Sequence, residues 1–403
     1  MDPRKNPYTP NAGARPPVLV GRDNEIEAFD ILLNRLLNGY TEQSMLITGL
    51  RGVGKTVLLN RFENQAREAD WVTVEAEISK REPFTSRMVQ LTRRTLLQLD
   101  TKERWSTRAR RAAGVLRSFE MTVNPEGKLT MGWGIEPEAG LGDSGQLTDD
   151  LTDLFVAIGE AAEERKRGVI FLLDEVHFLE LYELEALVAA LHKTVQRSLP
   201  ITLVGAGLPQ LPQLAGEAKS YAERLFKFPI IGTLNQTDAL QALQKPALDA
   251  GVQYDLEALD AILEYTEGYP YFLQEYGKIV WDYAKGPRIT RIDVQHVALL
   301  VDAKLDESFF RVRTDRSTPT ELRYMRAMAE LGPTAQSAAD VAAVLNQTSA
   351  QLGPIRSRLI DKGMLYTPRY GLAAFTVPQF DRYLRRTWPD LLTTTPTETD
   401  ETE

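Results

Sequence analysis

The sequence predicts an α/β fold in which helices cover both faces of a parallel sheet, followed by two mainly helical domains. Three observations predict it. A glycine-rich stretch at 49–56 lies between the apolar run 45–47 and a helical pattern. A second apolar run, 168–173, ends in two acidic residues. From residue 234 onward, apolar side chains recur mainly at helical spacing.

The composition limits the class of protein. The chain has 403 residues, of which 43% are hydrophobic and 26% charged, and these values are typical of a globular protein with two or three domains. It contains no cysteine, which excludes disulfides and thiolate metal sites. No apolar run approaches the length of a bilayer span, so we expect a cytoplasmic protein with no membrane partner. The net charge of −9 disfavours a chain coated in nucleic acid, although 80–119 and 315–387 are locally basic.

The stretch 49–56, Gly-Leu-Arg-Gly-Val-Gly-Lys-Thr, matches the phosphate-binding pattern GxxxxGK[ST]. Between a strand and a helix, the loop amides and the helix N-terminus converge on phosphate oxygens. Lys55 would reach the outer phosphates and the Thr56 hydroxyl would ligate magnesium. The alternative is a glycine-rich turn with an exposed lysine. We therefore predict a P-loop NTPase sheet whose nucleotide-binding residues include Gly49, Gly52, Val53, Gly54, Lys55, Thr56 and Val57.

Asp174 and Glu175 follow the run 168–173, which is typical of a central parallel strand covered on both faces. Two buried, unpaired carboxylates would be costly there, but they are explained if they emerge beside magnesium and the γ-phosphate. Asp174 would then hold magnesium, through water or through Thr56, and Glu175 would orient and polarise the attacking water. The alternative is a strand that ends in surface acids. Lys55, Asp174 and Glu175 are the catalytic candidates.

Arg224 and His177 are two further residues whose roles the sequence leaves open. Arg224 could reach the nucleotide of a neighbouring subunit and neutralise charge in the transition state, which requires a nucleotide-dependent homo-oligomer. A structural salt bridge to Glu217 or Glu223 is equally compatible with the sequence. We interpret His177 as a packing residue, or as one that acts through its neighbours.

A long insertion at about 80–147 separates two strands of the predicted sheet. After an arginine-rich helical stretch, 118–123 and 129–135 look like the strands of a β-hairpin around the turn 124–128. The insertion could grip nucleic acid or a protein partner, or it could be a solvated basic helix folded onto acidic neighbours. The arginines of the helical stretch are Arg93, Arg94, Arg104, Arg108, Arg110, Arg111 and Arg117.

The remaining boundaries follow from composition and periodicity. We expect a flexible or draped arm at 1–16, a nucleotide-binding core at 17–232, a helical lid at 233–312 and a disordered acidic tail at 389–403. Between lid and tail, at 313–388, helices at 320–331, 337–345 and 349–362 and a hairpin at 363–377 predict a winged helix.

The winged helix would present a basic surface to double-stranded DNA, although Pro354 should bend its third helix. A winged helix that docks on protein is the alternative. The side chains expected to contact DNA are Gln351, Arg356, Arg358 and Lys362 on the third helix and Arg369 on the wing.

The order of these motifs resembles that of the origin-recognition-like AAA ATPase domain family, within the AAA+ proteins. The resemblance covers 17 to about 385 and includes Val20-Gly21-Arg22, the phosphate loop, Leu173-Asp174-Glu175, the segment around Arg224 and Gly268-Tyr269-Pro270. It implies ATP as the nucleotide, a conformation that changes with ATP state, and nucleotide contacts from Val20, Gly21, Arg22 and Pro270. Some members load or initiate on DNA, and others are regulatory or defence switches.

The sequence departs from this family at 205–207. Many AAA+ proteins carry a polar residue there that senses the γ-phosphate, whereas this chain has Gly-Ala-Gly. Thr202 or a backbone amide could substitute.

We therefore predict a slow ATPase that uses ATP and magnesium, in which the nucleotide state controls DNA binding through the winged helix. The alternative is a signalling ATPase whose winged helix and basic insertion bind protein partners.

Overall fold

The computed structural model of this chain describes residues 1–99, 105–124 and 135–392. It divides into two compact units, which are described separately. The core unit comprises 21–49 and 54–231. The lid unit comprises 1–20, 50–53 and everything from 232 onward.

The core unit is built on a five-stranded sheet in which every strand pair is parallel. The strand order β2-β3-β4-β1-β5 brings the ends of β1, β3 and β4 side by side. This arrangement confirms the α/β fold with a parallel sheet. The strands are β1 Ser44–Thr48, β2 Val72–Glu77, β3 Val169–Asp174, β4 Ile201–Gly207 and β5 Phe226–Lys227.

Helices bury both faces of this sheet. Successive side chains of a strand point to opposite faces, and on one face alternate residues such as Leu46, Phe171 and Leu203 join the hydrophobic core of helices α3 to α8. On the other, Phe29 of α1 stacks on Phe62 of α2 with centroids 4.1 Å apart. The helices are α1 Asp23–Leu37, α2 Lys55–Glu68, α3 Phe84–Leu99, α4 Thr107–Val123, α5 Leu147–Glu164, α6 Leu181–Gln196, α7 Leu211–Ala218 and α8 Ala222–Leu225.

The predicted β-hairpin after the arginine-rich stretch is wrong in its first strand, because 118–123 form the last turns of α4. Ala112, Leu116 and Phe119 are buried at helical spacing, and this spacing outweighs the short alternation after Phe119. The turn 124–128 and the second strand 129–135 lie almost wholly outside the described residues.

The first part of the lid unit is helical, and the N-terminal arm is draped over it. Tyr8 is buried, and its hydroxyl donates to the Leu243 carbonyl at 2.6 Å. A turn of π-helix, Asp306–Phe310, follows the fourth long helix. The elements are α9 Gln236–Asp249, β6 Gln253–Tyr254, α10 Leu256–Thr266, α11 Pro270–Tyr283, β7 Arg288–Ile289, α12 Arg291–Leu305 and α13 Arg311–Thr314.

The last part of the lid unit has the helices and hairpin strands that the sequence predicts. A three-stranded antiparallel sheet of order β8-β10-β9 accompanies them. Phe310 stacks on Tyr383 at 5.0 Å, so this part packs directly on the preceding helices. Of the predicted tail, 393–403 lie outside the described residues. The elements are α14 Pro319–Glu330, β8 Gln336–Ser337, α15 Ala338–Leu345, α16 Ser349–Asp361, β9 Leu365–Tyr366, β10 Leu372–Phe375 and α17 Phe380–Thr387.

Candidate active site

The start of α2 and the end of β3 meet in the core unit. The Thr56 hydroxyl donates to Asp174 Oδ2 at 2.6 Å, and Asp174 Oδ1 accepts from the backbone amide of Glu175 at 2.8 Å. Because β3 lies in a parallel sheet, this contact is at the carboxyl edge, where ligands of open α/β sheets bind. The start of α2, with Thr56, and the acid pair therefore form one site within the core unit.

Lys55 lies at the same edge and is only 7% exposed. Its ammonium donates to the Gly49 carbonyl at 3.0 Å, and the Gly49 amide donates to the Gly207 carbonyl at 3.2 Å. Gly54 precedes the helix with φ +94°, a left-handed conformation that favours glycine. A loop that turns in this way into a helix N-terminus is a general anion-binding arrangement. Val57 is partly buried in the first turn of α2.

The oxygen atoms at this edge fit magnesium. The Thr56 hydroxyl and the Asp174 carboxylate are hard oxygen donors already in contact, and magnesium prefers such ligands, with several positions left to water and phosphate. Within the described ranges, no group of three or more His, Cys, Asp or Glu side chains is placed to hold a metal. A magnesium ion bound by Thr56 and Asp174 would take its remaining ligands from water and from the phosphates of a nucleotide.

Glu175 has a left-handed backbone, with φ 55° and ψ 34°. It leads into the 3₁₀ turn Val176–Phe178, closed by the Phe178 amide, which donates to the Glu175 carbonyl at 3.0 Å. This turn brings His177 back towards Glu175, with Nδ1 3.3 Å from Oε2. The His177 side chain is 3% exposed, and its ring lies 4.2 Å from that of Phe178.

Thr202 is not at this edge, so it cannot replace the γ-phosphate sensor. It is the second residue of β4, and its hydroxyl is hydrogen-bonded to that of Ser44, the first residue of β1, at 2.9 Å. The amino ends of parallel strands lie on the side of the sheet opposite the site. A side chain at Gly207 has little room, because a Cβ there would lie 3.0 Å from Leu211 and 3.4 Å from His177.

The tip of the glycine-rich loop, Leu50–Val53, belongs to the lid unit. The Arg51 amide donates to the Thr376 carbonyl at 3.1 Å, and the buried Tyr269 hydroxyl donates to the Arg51 carbonyl. A Cβ on Gly52 would lie 3.2 Å from Tyr269 and from Tyr271. Sequence reasoning missed these contacts, although it had marked the motif that contains Tyr269.

The other predicted nucleotide contacts are distributed between the two units. Val20 is buried in the lid unit, and Pro270 is the first residue of α11 there. Gly21 and Arg22 belong to the core unit, where Arg22 is buried and donates to the Gly21 carbonyl at 2.7 Å. Val53, in the loop tip, is buried.

Arg224 lies on the short helix α8 and its side chain is exposed. Its carbonyl accepts from Gln43 at 3.0 Å. The Glu217 carboxylate accepts from Gln213 at 2.8 Å, and neither Glu217 nor Glu223 pairs with Arg224 in the part of the chain that the structure describes. The expected alternative, a structural salt bridge, is therefore not formed.

Most of the predicted DNA contacts already have partners inside the lid unit. Gln351 accepts from the Thr348 amide in the cap of α16. Arg356 donates to the Leu372 carbonyl at 2.7 Å. Arg358 and Lys362 pair with Glu321 at 3.5 and 2.6 Å. Arg369 is exposed, and the adjacent Tyr370 is 101% exposed, so the turn between β9 and β10 is the freest part of this surface.

The described arginines of the insertion include several that pair with acids of the core unit. Arg108 is 2.8 Å from Glu163, and Arg111 is 3.4 Å from Glu160 and 3.6 Å from Glu138. These contacts favour the basic helix folded onto acidic neighbours. They leave less free positive charge for a partner than the composition suggests.

A parallel sheet with a phosphate loop after β1 and an acid pair after β3 defines the class of P-loop NTPases. Residues 18–204 match the family described as AAA ATPase domain. Over 54 residues the chain is 43% identical to ORC1-type DNA replication protein 2 of Haloarcula marismortui, a stretch that covers 13% of each protein. Residues 18–204 are therefore similar to AAA ATPase domains, and a short stretch of the chain is similar to an ORC1-type protein. The similarity of residues 18–204 to AAA ATPase domains supports nucleotide binding and ATPase activity in general.

Two solved structures are similar to this chain over 92% and 98% of its length. A Walker-type ATPase of Pyrococcus abyssi shares 14% identity and a TM-score of 0.57, with 92% of this chain and 97% of that chain covered, which supports the fold. Cdc6p from Pyrobaculum aerophilum shares 14% identity and a TM-score of 0.47, with 98% of each chain covered. Residues 307–384 match a domain of unknown function. Among the described residues, no helix has the length and apolar character required to cross a membrane.

Proposed function

We propose that this chain is a slow, ATP-hydrolysing AAA+ switch in which the nucleotide state controls DNA binding by residues 313–388. In this proposal those residues act as a winged helix. Three features support this proposal: the site in the core unit, the hydrogen-bonded loop tip at 50–53 and the exposed turn between β9 and β10.

The proposed roles at the site follow from its geometry. Lys55 binds the outer phosphates, while Thr56 and Asp174 hold magnesium, which supplies charge neutralisation of the phosphates when bound. Glu175 accepts a proton from the attacking water as the water oxygen bonds to the γ-phosphorus. The bond from the γ-phosphorus to the bridging oxygen breaks, and that oxygen keeps the electron pair on ADP. In contact with a neighbouring subunit, Arg224 would add positive charge.

The observation that carries the switch is the hydrogen bond from the Arg51 amide to the Thr376 carbonyl, at 3.1 Å within the lid unit. Thr376 directly follows β10, and its hydroxyl donates to the Gly363 carbonyl at 2.8 Å, just beyond the end of α16. A short series of hydrogen bonds thus joins the loop tip to the end of α16. A nucleotide that reshapes the loop tip changes the free energy of these bonds, and this supports a link between nucleotide state and DNA affinity.

Exposed groups in the turn between β9 and β10 support DNA as the ligand. Arg369 can pair with phosphates, and the Tyr370 ring is free to pack on a sugar or base. The curated relative is named as a DNA replication protein, and we extend that association to this chain.

Labelled duplex DNA, titrated in the absence of nucleotide, with ATP and with ADP, tests the proposal at several salt concentrations. We expect affinity to fall steeply between about 50 and 200 mM salt and to differ at least about fivefold between ATP and ADP. Tyr269→Phe removes the hydroxyl bound to Arg51 and should reduce this nucleotide dependence. Tyr283→Phe, at the last residue of α11, the helix that begins directly after Tyr269, is the matched control and should leave this nucleotide dependence unchanged. Equal DNA affinity in all three nucleotide states would overturn the switch.

The second candidate is a signalling ATPase in which 313–388 and the basic insertion bind protein. The internal pairing of Arg356, Arg358 and Lys362 favours it, because these cations are the ones that a DNA-reading helix would use. The salt titration separates the two candidates. DNA affinity that stays weak and identical in every nucleotide state supports the protein-binding function.

A further inference from the structure

The end of β4 and the turn after β3 fit together around His177. A Cβ on Gly207 would lie 3.4 Å from both the backbone nitrogen and Nδ1 of His177. A Cβ on Gly205 would lie 2.9 Å from Val176 and 2.6 Å from Leu46. Both glycines therefore allow the turn after β3 to pack closely on β4. A side chain at residue 207 would therefore begin against the turn that carries His177.

His177 also faces the carboxylate of Glu175. Nδ1 and Oε2 are 3.3 Å apart, and the His177 side chain is almost fully enclosed. Enclosure and the contact with the Phe178 ring restrict the imidazole to few orientations. A restricted donor beside a carboxylate limits the directions in which that carboxylate can point. Catalytic contacts of this kind are often long before substrate binds.

We propose that His177 is a positioning residue for ATP hydrolysis, which holds the Glu175 carboxylate in the orientation that accepts the proton of the attacking water. With Nδ1 protonated, the imidazole donates to Oε2 and leaves Oε1 to receive that proton. This inference rests on the proposed hydrolysis.

Two substitutions at His177 distinguish positioning from packing. His177→Asn places an amide nitrogen near the position of Nδ1 but removes most of the ring. His177→Phe keeps an aromatic ring but has no donor. Positioning predicts that kcat falls at least about tenfold in His177→Phe, with ATP affinity unchanged, and recovers substantially in His177→Asn. A packing role predicts the reverse: kcat would be retained in His177→Phe and lost in His177→Asn.

His192→Phe is the matched control, because His192 also contacts an aromatic ring in the core unit, that of Tyr221 at 4.3 Å. It should hydrolyse ATP like the wild type. In a Glu175→Gln background, His177→Phe should cause no further loss of kcat, since there is no carboxylate left to orient.

Phosphate release and ATP affinity are measured on the same preparations. If His177→Phe fails to bind ATP, His177→Leu replaces it, with the same expected loss relative to His177→Asn. A wild-type protein that binds ATP without turning it over would overturn both the hydrolysis and this inference. Wild-type turnover with equal activity in His177→Phe, or His177→Leu, would overturn the positioning role alone.

Discussion

Thr56 and Asp174, which are 118 positions apart in the chain, are joined by a hydrogen bond of 2.6 Å. The strand order of the core sheet makes this contact, because β3 and β1 are each neighbours of β4 and their carboxyl ends lie at one edge. The hydroxyl and carboxylate oxygens at this edge therefore belong to the same site as Lys55. An NTPase site of this type depends on that convergence.

Lys55→Ala should weaken ATP binding by about a hundredfold. The substitution removes the ammonium that would pair with the phosphates, and a charge-assisted hydrogen bond contributes about 1.5–3 kcal/mol. Isothermal titration calorimetry with ATP and magnesium measures the change. Lys245→Ala is the control, since Lys245 pairs with Asp249 on the lid-unit helix α9 and should leave ATP affinity unchanged. Equal ATP affinity in Lys55→Ala and Lys245→Ala would contradict a role of Lys55 in binding the phosphates.

Gly52→Ala should lower the free energy of unfolding more than Gly54→Ala does. Both glycines have a left-handed backbone, with φ +86° and +94°, so each substitution costs roughly 1–2 kcal/mol in backbone strain. Only at Gly52 would the new Cβ also press against Tyr269 and Tyr271, at 3.2 Å, whereas at Gly54 nothing lies within 4 Å. Urea unfolding without nucleotide should therefore show a further loss of about 1 kcal/mol in Gly52→Ala. An equal loss in both variants would contradict the contact with the tyrosines.

The sequence predicts that Thr56 and Asp174 meet because each half of this contact lies in a local pattern. A glycine-rich loop between strand and helix, and a buried strand ending at Asp174, can each be recognised in fewer than about ten residues. The parallel sheet then brings both halves to one edge. The first strand of the hairpin at 118–123 was wrong because a short alternation is compatible with a helix when Leu116 and Phe119 continue a buried helical stripe.

Contacts between distant segments could not be predicted in the same way. The bond between Arg51 and Thr376, and the pairing of Lys362 with Glu321, depend on how the helices of the lid unit pack. Nothing in the local sequence distinguishes a lysine that faces DNA from one that neutralises a buried acid. The prediction that Thr202 could act as the sensor is wrong because Thr202 lies at the amino end of its strand.

Mixing two inactive variants should restore ATPase activity if Arg224 acts on a neighbouring subunit. In a mixed oligomer, an Arg224→Ala subunit keeps Lys55 and can receive Arg224 from a Lys55→Ala subunit. Phosphate release should then exceed the sum of the separate activities. The control is a mixture of Lys55→Ala with the double variant that carries both Lys55→Ala and Arg224→Ala. This mixture should give no gain in phosphate release. Activity equal to the sum in the first mixture would argue against a role in trans.

Glu321→Gln should destabilise the protein at neutral pH but not in acid. Burial acts to raise the pKa of Glu321, but Lys362, the Thr318 amide and Arg358 together hold that pKa below its ordinary value of 4.5. A lowered pKa contributes stability above pH 4.5, and that contribution is lost as the pH falls through the folded-state value. Glutamine retains the cap on Thr318, so the substitution removes mainly the charge.

The expected difference in the free energy of unfolding at neutral pH is about 2 kcal/mol, reduced because Lys362 and Arg358 are partly exposed. Thermal and urea unfolding of wild type and variant over a pH series measure it. Glu330→Gln is the control, since Glu330 is half-exposed and pairs with Arg326 in the same helix. A wild-type advantage that persists unchanged well below pH 4.5 would contradict the lowered pKa of Glu321.

Arg369→Ala should weaken DNA binding and reduce its salt dependence, whereas Arg358→Ala should act mainly on stability. Arg369 is exposed in the turn between β9 and β10, and loss of one phosphate contact lowers the slope of log affinity against log salt by about one. Arg358 is paired with the fully buried Glu321, so its removal costs unfolding free energy first. Arg288→Ala, whose guanidinium pairs with Asp255 elsewhere in the lid unit, is the control and should leave the slope unchanged. If Arg358→Ala lowers the slope and Arg369→Ala does not, the α16 surface binds DNA and the turn between β9 and β10 does not.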